Sequence, residues 1–264
     1  MIKQVLLSFD IEEFDMPLEY RKSIPLDEQI SVSREGTKII LDLLLQYRIT
    51  ATFFSTVTFA NHAVDLIHRI KKENHELASH GYFHSRFQNE HLFESKRMLE
   101  KISGGTVQGF RMPRMMPVNN EAIKEAGYLY NSSLNPTYLP GRYNNLSKPR
   151  ILHQINETLQ LPASTTPNFR FPLFWLSFHN MPLWIYKAAC IRTINYDHYL
   201  NIYFHPWEFI DLTKPSYGLP GFVTKNSGAQ MTERFENWIK WMKKRGYHFS
   251  TIQKYLSTKE NNTM

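Results

Sequence analysis

Residues 5–15 read VLLSFDIEEFD. The apolar run Val5-Leu6-Leu7 leads directly into four carboxylates, Asp10, Glu12, Glu13 and Asp15, in a chain whose formal net charge is +7. So short an apolar run bounded by charge predicts a buried strand. Carboxylates crowded at its end repel one another, so a solvated loop, a metal ion, or a general base with ligands beside it must account for them.

Working outward, strand-like and helix-like segments alternate. The first strand, Lys3–Phe9, precedes a helical pattern over Arg34–Tyr47, with Ile39, Ile40, Leu43 and Leu44 on one face and Ser33 as N-cap. Thr50–Thr56 is β-rich, Asn61–Asn74 has helical spacing, and Glu76–Ser79 predicts a strand. A helix near Leu92–Ile102, a strand Val107–Phe110, a helix Asn119–Glu125 closed at Gly127 and a strand Tyr128–Ser133 follow. Asn135–Asn168 reads as loops with short strands. The aromatic, Pro-broken tract Phe169–Lys187 fits a helix-containing excursion, a substrate wall or a partner surface. Regularity returns in a strand Asn201–Phe204, a helix Thr232–Arg245 ended by Gly246, and a strand Tyr247–Thr251. Repeated β-then-α units imply parallel strands with right-handed crossovers. No G-x-G-x-x-G or P-loop follows a strand, which argues against nucleotide binding. No repeat or linker divides the 264 residues, so one domain is expected, with an excursion around 135–190.

Composition sets further bounds. Hydrophobic residues at 42% and charged residues at 21% describe a globular chain rather than a disordered one. The single cysteine, Cys190, excludes an intramolecular disulfide and fits a reducing compartment, with a small buried side chain as its expected role. No apolar run suffices for a membrane span, and the N-terminal run is shorter than a signal-peptide core, so a cytoplasmic location is expected. The densest positive cluster, Lys240, Lys243, Lys244 and Arg245, sits at a predicted helix end, where cations meet the helix dipole. No nucleic-acid-binding signature accompanies it, and no nucleic-acid partner is expected.

Polar residues gather just after strands: Asp10 after QVLLSF, His80 after HELAS, Arg111 after VQGF, His205 after NIYF. In parallel α/β folds such strand ends converge on one mouth. His80 and His84, in SHGYFH, can meet one metal if the chain turns at Gly81, with a carboxylate from SFDIEEFD as third ligand. Arg111 is placed to pair with a carboxylate across the mouth. His205 fits either a hydrogen-bonded core histidine or a general acid or base. Trp207 fits a sugar-facing ring or the core. A G-x-S-x-G elbow is absent from the sequence.

The ordered set Ser8-Phe9-Asp10, His80-Gly81-Tyr82-Phe83-His84, Arg111-Met112-Pro113 and Ile202-Tyr203-Phe204-His205 resembles the polysaccharide deacetylase family, the NodB-homology group related to carbohydrate esterase family 4. The resemblance implies an α/β fold, a distorted (β/α)7-type barrel, and hydrolysis of an acetyl group from an N-acetylated carbohydrate. It implies Zn²⁺ or another divalent cation, with Asp10 as base, Arg111 orienting it and His205 as acid. The family pattern has two consecutive aspartates, whereas Ile11 follows Asp10 here. Alternation along an extended segment sends Asp10 and Glu12 to one side, which makes Glu12 the third metal ligand beside His80 and His84, with Glu13 as fallback. Glu13 and Asp15 are then expected to face solvent or close the loop. The family's Asp–Trp motif is not evident, and Glu208 is the candidate partner of His205. Two other readings stay open: a metal-independent, allantoinase-like amidohydrolase, and a non-catalytic glycan-binding protein on the same fold.

Overall fold

A computed structural model describes residues 3–260. Strand β1 (Gln4–Ile11) runs two residues further than its apolar pattern suggests, so Asp10 lies inside the sheet, in register with Phe54. A short helix α1 (Met16–Glu19) leads to α2 (Leu26–Tyr47), then β2 (Thr52–Ser55), helices α3 (Val57–His62) and α4 (Val64–Lys72), and β3 (Glu76–Ser79). Helix α5 (Glu90–Ser103), β4 (Gly109–Phe110), α6 (Asn120–Glu125) and β5 (Tyr130–Asn131) complete the first half. The pairs β6 (Tyr138–Leu139) with β7 (Tyr143–Asn144), and β8 (His153–Ile155) with β9 (Thr158–Gln160), are antiparallel hairpins. Helices α7 (Trp175–Asn180) and α8 (Leu183–Asp197) precede β10 (Tyr199–Phe204), and α9 (Gly221–Thr224), α10 (Ala229–Lys244), β11 (His248–Ser250) and α11 (Ile252–Glu260) follow it.

Seven strands in the order β10-β1-β2-β3-β4-β5-β9 are parallel throughout and curl into the distorted half-barrel of the (β/α)7 type. Strand β11 lies beside the first half of β1, and β2 beside the second. The curl closes between the segment after β9 and β10 largely through side chains. Asn201 Nδ2 donates to the carbonyls of Leu161 (3.3 Å) and Pro162 (3.0 Å), and one main-chain bond runs from Ser164 N–H to the Asn201 carbonyl (2.8 Å).

The two-residue period of β1 explains the placement of the core. Val5, Leu7, Phe9 and Ile11 pack outward in the cluster that includes the helices, with Phe235, Trp238, Ile239 and Met242 of α10 among its buried members. Leu6 faces inward with Phe54, Ala78 and Tyr130, and this interior layer is closed below by Ile252, Tyr255 and Leu256 of α11. The first amides of α11 are satisfied by Thr52 Oγ1 (2.9 Å) and Glu76 Oε2 (2.9 Å).

Some local expectations are corrected. Helix α2 starts at Leu26, after Pro25, and Ser33 is a buried residue within it rather than its N-cap. The helical pattern over 61–74 is two helices broken at Ala63, the first capped by Thr56 Oγ1, which accepts from Phe59 N–H. Within 169–187 the structure has α7 and the start of α8. Cys190 is buried. Gly36 of α2 lies so close to the segment after β10 that a Cβ there would come within 1.9 Å of the Pro206 carbonyl oxygen.

Candidate active site

Asp10 and Arg111 form a pair that is almost wholly out of water. Arg111 is fully buried and Asp10 is 3% exposed. Nη1 donates to Asp10 Oδ1 (2.6 Å) and Ser8 Oγ (3.0 Å), Nε to the Ser132 carbonyl, and Nη2 to Ser132 Oγ. The guanidinium also lies 4.0 Å from the centre of the Phe54 ring. Every face of the cation is occupied, which is how a buried charge is tolerated. One oxygen of Asp10 is thereby committed to Arg111, while Oδ2 stands 4.0 Å from His205 Nε2.

Glu12, two residues on, meets the histidine pair. Its Oε2 is 2.9 Å from His80 Nε2 and 3.1 Å from His84 Nε2. The turn between the histidines passes through Gly81 at φ +81°, a conformation glycine adopts without a side-chain penalty. Each ring is oriented from behind. His80 Nδ1–H donates to the Arg111 carbonyl (2.9 Å), and His84 Nδ1–H donates to Asp15 Oδ1 (2.8 Å). Acceptors behind both rings leave the two Nε2 atoms to face Glu12, and one donor atom from each of the three residues lies within 4.8 Å of the others. Two imidazoles and a carboxylate with supported tautomers fit a divalent cation and leave positions open for other ligands.

With protons alone between them, these groups form a tight ion pair. Burial opposes charge on Glu12, but His84, His80 and His205 outweigh it and hold the carboxyl down at about 2. Burial likewise opposes charge on His84, and Glu12 and Asp15 reverse that, pushing the imidazole up to about 9.

Glu13 and Asp15 do not face solvent; both are buried. Glu13 points away from the histidine rings and accepts from Thr56 Oγ1 (2.5 Å). Asp15 orients His84 and also accepts from Arg114 Nη2 (2.9 Å).

His205 follows the last residue of β10 and is held from its own turn. Glu208 Oε1 accepts from His205 N–H (2.6 Å) and from Nδ1–H (2.9 Å), which turns Nε2 toward Asp10. Burial disfavours the imidazolium, but Glu208, Glu12 and Asp10 together raise its pKa. The other oxygen of Glu208 lies 2.8 Å from Nε2 of the fully buried His179, whose Nδ1–H donates to the Lys225 carbonyl (2.6 Å). Both nitrogens of His179 thus face acceptors, and the ring ties Glu208 to the segment that carries Lys225. Trp207 is buried and stacks on His205 at 4.5 Å, so it supports the imidazole rather than offering a face to a sugar. Trp175, edge-on to both rings, is the partly exposed indole of the wall.

These groups line a cavity of about 270 Å³ whose floor carries Asp10, Glu12, His80, His84 and His205 and whose wall includes Trp175 and Tyr143. Of the residues around it, Arg114, Trp175 and His179 were not singled out by the sequence, and Asp15 was expected to face solvent or close the loop. Asp15 lies within the quoted acidic stretch, but its role depends on the turn that returns His84 to it. Among the described residues no helix is long and apolar enough to cross a membrane.

Several solved structures share the fold. They include a probable polysaccharide deacetylase from Pseudomonas aeruginosa PAO1 (15% identity, TM-score 0.65, over 95% of this chain and 88% of that one). PuuE allantoinase matches at 16% identity and TM-score 0.63, again over 95% and 88%. A CE4 family pseudoenzyme from Bacillus anthracis matches at 15% identity and TM-score 0.54, over 96% of this chain and 65% of that one. At these identities the likeness is one of fold. No curated protein matches the chain in sequence. Residues 3–130 match the family model described as polysaccharide deacetylase, the same family that the ordered strand-end motifs of the sequence resemble.

Proposed function

We propose that the protein is a metal-dependent hydrolase that removes the acetyl group from an N-acetylated sugar or glycan precursor. The observation that carries this reading is the facing pair Asp10 and His205, 4.0 Å apart across the cavity floor, each fixed by its own buried partner. Glu12, His80 and His84 would hold the cation, Zn²⁺ or another divalent ion, which supplies Lewis-acid polarisation of the acetyl carbonyl and acidifies water. Asp10 Oδ2 accepts the proton of the attacking water, while Arg111, bonded to Oδ1, fixes the orientation of the carboxylate. An amine leaves poorly as an anion, so the C–N bond breaks as His205 Nε2–H donates its proton to the nitrogen. Glu208, behind the ring, stabilises the imidazolium before that transfer. The products are acetate and a free amine.

The test is acetate release from a panel of N-acetylated sugars by Zn²⁺-reconstituted protein, chelated protein and Asp10→Asn. We expect chelation and Asp10→Asn each to lower turnover at least a hundredfold, in line with about 10²–10⁴ for general-base catalysis. Full activity in Asp10→Asn removes Asp10 from its role. Activity untouched by complete metal removal favours the allantoinase-like reading. Oligosaccharide binding without any turnover favours the glycan-binding one.

A further inference from the structure

Trp175 and His179 apart, the aromatic tract after Asn168 is not used by the chemistry above, yet it helps form a surface groove of about 620 Å³ directly beside the reaction cavity. Leu139, Leu176 and Phe222 belong to both, so the two spaces share a wall. Beyond that wall the groove is floored by Tyr138, Phe169 and Phe171, and Phe169 is 88% exposed. An exposed cluster of large apolar side chains usually marks a binding surface.

The polar side chains of the groove turn inward. Thr137 Oγ1 donates to the Arg170 carbonyl, Ser177 Oγ to the Pro172 carbonyl, Asn180 Nδ2 to the carbonyls of Leu176 and Phe222, and Arg170 Nη1 to that of Lys148. A glycan continuing from the cavity would meet mostly hydrocarbon there, with its hydroxyls poorly matched. We infer that the substrate is an N-acetylated sugar carrying a long hydrocarbon chain, with the sugar in the cavity and the chain lying over Leu139, Leu176 and Phe222 into the groove. This rests on the deacetylase reading and names its substrate class.

The magnitude follows from burial. A fully buried methylene is worth roughly fourfold in affinity, and a chain covered on one side roughly half of that free energy, or about twofold. Seven added methylenes then give a gain on the order of a hundredfold. The experiment compares acetate release from the methyl and octyl glycosides of N-acetylglucosamine, both below the micelle concentration of the octyl compound. The octyl glycoside is expected to show kcat/KM on the order of a hundredfold higher, mostly through KM. In Phe169→Ser and in Phe171→Ser the octyl-to-methyl ratio should fall tenfold or more. Equal kcat/KM for the two glycosides, or a ratio unmoved in both variants, overturns the inference.

If neither glycoside releases acetate, the groove is read separately by calorimetry with octyl and methyl glucoside, which carry no acetyl group. Octyl-selective binding that Phe169→Ser abolishes supports the groove although the deacetylase reading has failed on this sugar. No octyl-selective binding overturns the groove itself. If Phe169→Ser abolishes binding to phosphatidylcholine vesicles, or self-association in sedimentation, while the octyl-to-methyl preference is absent, the occupant is a bilayer or a second copy and the inference falls.

Discussion

The ion pair at Glu12 and His84 makes the stability of the metal-free protein depend on pH in a defined window. His84 rises from 6.5 to about 9 on folding because burial, which opposes the charge, is outweighed by Glu12 and Asp15. A raised imidazole contributes stability in full below its unfolded value and loses it as pH climbs through the folded one. The step from 6.5 to about 9, at about 1.4 kcal/mol per pH unit, corresponds to about 3 kcal/mol. Glu12, held at about 2, contributes above 4.5 and loses its share as pH falls toward 2. The two shifts describe largely one ion pair and are not added. The metal-free protein should therefore be most stable between about pH 4.5 and 6.5. Urea unfolding after exhaustive chelation is the assay. Between pH 6 and 9.5 the unfolding free energy should drop by about 3 kcal/mol, with His205, also raised, acting in the same direction. His84→Gln should flatten most of that slope. A flat profile in the chelated wild type, or an unchanged slope in His84→Gln, refutes the reasoning.

Three further outcomes follow from the same geometry. Glu12→Ala should lose Zn²⁺ on dialysis while Glu13→Ala retains it, as read by metal content, because Glu12 meets both histidines and Glu13 is tied to Thr56. Asp15→Asn should weaken Zn²⁺ binding about 10–100-fold in a chelator competition, since Asp15 fixes the ring of His84 from behind. Gly36→Ala should cost about 3 kcal/mol in urea unfolding and lower kcat at least tenfold, because the new methyl collides with the Pro206 carbonyl and shifts the segment that carries His205.

Much of the scaffold was legible because it depends on short-range patterns. The alternation of β1 sorts Leu6, Ser8, Asp10 and Glu12 from their outward neighbours, and β3 has the limits its pattern suggests. The start of α2 was missed because its first turns, LDEQISVS, mix polar and β-branched residues; Pro25 with Asp27 and Glu28 behind it was the available signal. The outer parts of the site depend on contacts that no spacing encodes. Arg114 reaches Asp15 only because the turn after β4 takes a left-handed residue at φ +58°. His179 reaches Glu208 from a separate short helix in the aromatic, Pro-broken tract.

The seam beside β10 has a consequence for where the mouth of the cavity can change. Asp10 and His205 sit one step beyond the last paired residues of adjacent strands, Phe9 opposite Phe204. The clasp made by Asn201 lies on the opposite edge of β10. Change at that clasp therefore acts on the excursion side of β10, while Asp10 and His205 stay tied to one another through the pairing of β1 with β10. The mouth can thus vary on the clasp side with the 4.0 Å separation of Asp10 and His205 held by the other edge of the same strand.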